Sequence, residues 1–78
     1  MNPHDYRNKV QHYQDIMHHY DKTGKKSLQK QAVYGSGYID GVRGCRSVPR
    51  GLTSQYYEFG FKAGRQDKAD QDKKRGGE

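Results

Sequence analysis

The chain has 78 residues and a formal net charge of +6, enough for one domain and no more. Val, Ile, Leu and Phe supply only 10 of those residues, a share that at this charge falls on the disordered side of the usual divide. The single cysteine, Cys45, excludes an internal disulfide, no apolar run is long enough to span a membrane, and the first apolar residues are scattered among charges, unlike a signal peptide.

Seven tyrosines pull the other way. Each aromatic side chain buries roughly 150–250 Å², so a core built on Tyr can hold a domain that the aliphatics cannot. The expectation is a cytoplasmic all-α protein, a small three-helix domain over residues 1–66 with a charged, flexible tail over 67–78. Its fold should be marginal and gain stability from a partner or from forming a homodimer.

The first helix is expected over about residues 3–21. Asn2 is a good N-cap, Pro3 suits the first helical position, and Asp5 favours the helix dipole. Tyr6, Val10, Tyr13, Met17 and Tyr20 then recur at steps of four and three, a single amphipathic stripe. Gly24 is the stop. The second helix is expected over 28–43, with Ser27 as cap and a seam of Leu28, Ala32, Gly35, Ile39 and Val42. Gly35, Gly37 and Gly41 each cost a helix interior roughly 1 kcal/mol relative to Ala, so their smallness must serve packing. Gly44, Pro49 and Gly51 mark a loop. Thr53 should cap a third helix over 54–66, with Leu52 and Tyr57 forming a hydrophobic staple and Leu52, Tyr56, Phe59 and Ala63 on its apolar side. The segment from Lys73 to Glu78 should fray.

A repeat links the second and third helices. Tyr34, Gly37, Tyr38 and Gly41 are matched 23 residues later by Tyr57, Gly60, Phe61 and Gly64. Glycines four apart share one helix face and strip it of side chains, so a second helix can approach closely with the aromatics flanking the contact. The face therefore packs one helix on the other, or presents its rings to a partner such as unpaired RNA bases.

The segment Gly37-Tyr38-Ile39-Asp40-Gly41-Val42-Arg43-Gly44, the proline at 49, and Gly60-Phe61-Lys62-Ala63 together resemble the ribosome modulation factor family. The resemblance covers roughly residues 34–65. It departs from the family in having Phe61 rather than tryptophan, a somewhat shorter connection, and an added first helix. It implies a short basic two-helix unit that binds ribosomal RNA on the small subunit and silences ribosomes.

The charge is uneven. Lys22, Lys25, Lys26 and Lys30 meet no acid between residues 22 and 32, and Arg43, Arg46 and Arg50 face only Asp40 between 33 and 52. Such clusters raise the local potential toward an anionic partner, or simply keep the surface solvated. Lys25, Lys26, Lys30, Arg43, Arg46, Arg50, Lys62 and Arg65 are the candidate phosphate contacts, Arg offering bidentate geometry and Lys a point charge.

No catalytic residue, cofactor or metal site is expected. His4, His12, His18 and His19 lack the spacing of zinc ligands, Cys45 has no orienting partner, and no Gly-Lys-Ser/Thr follows the glycines. Two classes of function remain: an RNA-binding module acting on ribosomal RNA or another nucleic acid, or an inhibitor or adaptor of the kind phages and mobile elements encode, docking on a host protein. Neither involves a membrane.

Overall fold

Two glycines decide where the first two helices end. Gly24 (φ 63°) and Gly44 (φ 76°) adopt the left-handed conformation that stops a helix at no side-chain cost. The Gly24 N–H donates to the Tyr20 carbonyl at 2.7 Å, and the Gly44 N–H to that of Asp40 at 2.8 Å. The computed structural model describes residues 6–76 and contains three helices, α1 (Tyr6–Thr23), α2 (Lys26–Arg43) and α3 (Gln55–Gly76), with one 3-10 turn at Arg50–Leu52. The protein is a small all-α, three-helix domain. The expected cap at Asn2 and the positions of Pro3, His4 and Asp5 lie outside the described residues.

α2 is the middle helix. α1 returns along it in the opposite sense: Lys9 lies over the Tyr38 ring, Tyr13 over Gly35, and Met17 and Tyr20 beside Gln29 and Ala32. Every member of the α1 stripe is half-buried and none is fully buried. α3 crosses α2 at the glycine face and meets α1 through Asp67 and Gln71. The Cα trace measures 44 × 31 × 14 Å, and a small core sits at the α2–α3 crossing.

The buried set is Tyr38, Ile39, Asp40, Tyr57 and Phe61, with glycines 35, 37, 41, 60 and 64. On α3 this differs from the expected apolar side. Leu52, Tyr56 and Phe59 are 78%, 41% and 49% exposed. Helix geometry cannot bury both Tyr56–Phe59 and Tyr57–Phe61, and the glycines at 60 and 64 decide for the second pair, because only that face lets α2 approach.

Three expected boundaries shift. The Tyr57 N–H is capped by the Ser54 hydroxyl at 3.3 Å rather than by Thr53, whose single hydroxyl proton is shared between the Arg50 carbonyl and the Glu58 carboxylate, each 2.9 Å away. Ser27 gives α2 no cap, since the helix already begins at Lys26. α3 runs ten residues past the expected end at 66. The cause is polar: Gln66–Asp70 and Lys68–Asp72 pair one turn apart, and Asp67 and Gln71 hold α1. Residues 67–76 are therefore part of the helical domain rather than a tail; Gly77 and Glu78 lie outside the described residues.

Candidate functional site

The repeat makes the α2–α3 contact. A Cβ added to Gly37 would fall on the Tyr57 carbonyl oxygen, and one on Gly41 on that of Phe61. In mirror fashion, Gly60 faces the carbonyl of Tyr34 and Gly64 that of Tyr38. The register advances in the same sense along both helices, each glycine seated in the other helix's backbone. Four interior glycines cost roughly 4 kcal/mol against alanine. Burying Tyr38, Tyr57 and Phe61, which are 1%, 3% and 8% exposed, offsets this at roughly 1.5–3 kcal/mol per ring. These three rings are core and present no face to a ligand. Tyr34 stays half-buried at the edge.

Most of the acids near this core are held by the fold. Asp40 is 7% exposed and its Oδ2 accepts from the Tyr57 hydroxyl, the Ser47 hydroxyl and, at 3.1 Å, the Ser47 N–H. Burial works against its charge, but those donors and nearby Arg43 outweigh it and hold the carboxyl below its usual range. Asp67 accepts from the Tyr38 hydroxyl at 2.6 Å and pairs with Lys9 at 2.9 Å, joining all three helices. Burial, then the bond to Asp67, push the Tyr38 phenol well above its ordinary range.

Arg46 departs from its expected role. Its guanidinium lies 4.9 Å from the Phe61 ring centre and 5.5 Å from that of Tyr57, and it pairs in fork fashion with Glu58. Arg46, then Thr53, hold the Glu58 carboxyl down at about 2. The loop after α2 folds back over the crossing and closes it with this arginine, which packs on the core rings.

The other expected bases lie at the surface. Lys25, Lys26, Lys30, Arg43, Arg50, Lys62 and Arg65 are all exposed. Among the described residues, no ion pair joins any of them to a carboxylate. They do not form one cluster. Lys25, Lys26 and Lys30 begin α2, Arg43 and Arg50 flank the loop, and Lys62 and Arg65 line a shallow groove on α3 with Gln66 and Ala69. Arg65 also reaches over the Phe61 ring at 5.9 Å.

Beside these bases lie aromatics that the sequence reading did not assign to the site. Tyr56 and Phe59 project from α3, and the Lys30 ammonium stands 5.5 Å from the Tyr56 ring centre. His12 is exposed next to them on α1. The signal was present in the sequence: Tyr56 and Phe59 are out of phase with the repeat, so once the glycine face is core they must point outward. Cys45 is a free, exposed thiol. Among the described residues, no three His, Cys, Asp or Glu side chains gather closely enough to hold a metal ion, and no helix is long and apolar enough to cross a membrane. No protein-family model matches the chain, and searches of curated proteins and of solved structures return no match.

Proposed function

We propose that this chain is a small, non-enzymatic RNA-binding protein that acts on the ribosome. The observation that carries the reading is a set of exposed lysines and arginines that, among the described residues, no ion pair joins to a carboxylate. Asp40, Glu58 and Asp67 are engaged by internal partners, while Lys25, Lys26, Lys30, Arg43, Arg50, Lys62 and Arg65 stand exposed. Unpaired Lys and Arg beside exposed Tyr56 and Phe59 suit phosphate contacts and base stacking. The ribosome as target rests on the resemblance over residues 34–65 to the ribosome modulation factor family.

The alternative, docking on a host protein, draws on exposed Leu52 and Phe59, which an interface core would bury. Affinity capture with and without nuclease separates the two. An RNA partner is lost on nuclease treatment; a partner that stays bound without nucleic acid would replace this reading with the protein-docking one.

A further inference from the structure

A groove of about 330 Å³ opens where α1, α2 and the first turn of α3 meet, walled by His12, Tyr13, Lys30, Gln31, Tyr34 and Tyr56. Its floor is rigid. Tyr13 packs on Gly35, where an added Cβ would stand 2.7 Å from the Tyr13 Cβ, and its ring centre is 5.6 Å from that of Tyr34 and 5.3 Å from that of Tyr38. Its mouth is open: His12 is exposed, Tyr56 is 41% exposed, and the Lys30 ammonium stands 5.5 Å from the Tyr56 ring centre.

We infer that this groove takes one unpaired base of a single-stranded RNA, stacked on Tyr56 with its phosphate on Lys30. The inference rests on the RNA-binding reading above and names the form of RNA recognised. The groove offers a ring face for stacking, a cation that can slide from that ring to a phosphate, and the Gln31 amide, both donor and acceptor, for a base edge. No carboxylate lines it. Lys26 sits one turn before Lys30 on α2 and continues the positive track. The volume lies at the small end of the roughly 300–1,000 Å³ range of ligand sites, room for one base. A paired base in an A-form duplex is stacked between its neighbours and cannot enter.

The test compares a labelled single strand of about ten nucleotides, within the site sizes such proteins occupy, with its duplex, by fluorescence anisotropy on the full chain. The single strand should bind more tightly than the duplex. Tyr56→Leu should weaken single-strand binding roughly 5- to 100-fold, the span of one lost base–aromatic stack, and leave the salt dependence unchanged. Lys30→Gln should weaken binding and reduce the salt dependence by about one phosphate contact. Circular dichroism confirms that both variants keep their helices. Unchanged affinity of Tyr56→Leu, or equal affinity for strand and duplex, overturns the inference while leaving RNA binding intact. Failure of the wild-type chain to bind either form overturns the underlying reading as well.

Discussion

The carbonyl oxygen of Tyr34 occupies the place where a β-carbon on Gly60 would stand, and such a carbon would also come within 2.9 Å of the Tyr38 nitrogen. The obstacle is helix backbone, which cannot rotate aside as a side chain can. Gly60→Ala, like Gly37→Ala, must therefore push α2 and α3 apart. We expect a loss of about 1–3 kcal/mol, despite the roughly 1 kcal/mol that alanine adds to an isolated helix. Gly51→Ala is the control, because nothing lies within 4 Å of its added carbon; its stability should stay within about 0.5 kcal/mol of wild type. Thermal unfolding followed by circular dichroism reads both.

Asp40 ties the loop after α2 to α3 through Ser47 and Tyr57. Asp40→Ala strands the buried Tyr57 hydroxyl and should cost about 1–3 kcal/mol. Tyr57→Phe in that background should recover part of the loss, since the unpaired donor is then gone. A denaturant double-mutant cycle measures the coupling; additive losses would mean the bond contributes nothing.

Acid should destabilise the fold through two carboxylates. Asp40 and Glu58 both have lowered folded pKa values, so each contributes stability that is fully present above its ordinary range and is lost as pH falls through the folded value. For Glu58 the window runs from its ordinary 4.5 down to about 2. Melting temperature should hold level from neutral pH to about 5 and then decline. Glu58→Gln should be less stable than wild type at neutral pH and show a shallower acid decline.

Arg46 and its neighbours in the chain should separate by readout. Arg46→Ala removes the cation over Phe61 and Tyr57 together with the pairing to Glu58, and should lower the melting temperature by several degrees. Arg46→Lys should rescue little, because an ammonium cannot fork onto the carboxylate while lying flat on a ring. Arg43→Ala and Arg50→Ala should lower the melting temperature less than Arg46→Ala does and weaken RNA binding. An Arg46→Ala protein as stable as wild type would return Arg46 to the surface set.

Ending the chain after Gln66 should loosen α1. The cut removes Asp67, which bonds Tyr38 and Lys9, and Gln71, whose side-chain oxygen accepts from the Tyr6 N–H at 2.8 Å. Hydrogen exchange should speed up along α1 while the α2–α3 crossing keeps its protection.

These outcomes follow what the sequence makes legible and what it does not. The α1 stripe and the paired glycines are local patterns of period three to four, and both locate the packed faces. The assignment of Leu52, Tyr56 and Phe59 to the apolar side of α3 fails because apolar counting and glycine spacing point to faces out of phase, and backbone approach outweighs hydrophobicity. The length of α3 is hidden because residues 67–71 are polar apart from Ala69, and the partners of Asp67 and Gln71, which are Tyr38, Lys9 and Tyr6, lie 29 to 65 positions away. Arg46 reads as one more base in a basic loop; only the return of that loop over Phe61 gives it another role. The remaining candidate bases are exposed, as a phosphate-contacting set requires, and Tyr56 and Phe59 join them once the repeat is taken into the core.

The most direct test of the RNA-binding account is the salt dependence of affinity for ribosomes, or for ribosomal RNA, with purified chain. Each neutralised phosphate contributes about 0.7–0.9 to the slope of log affinity on log salt. Five to seven exposed bases in contact therefore predict a slope of roughly −3 to −6, reduced by about one for each of Arg43→Ala and Arg50→Ala and unchanged by a folded Arg46 variant. Affinity that stays constant between about 50 and about 200 mM salt would contradict the account.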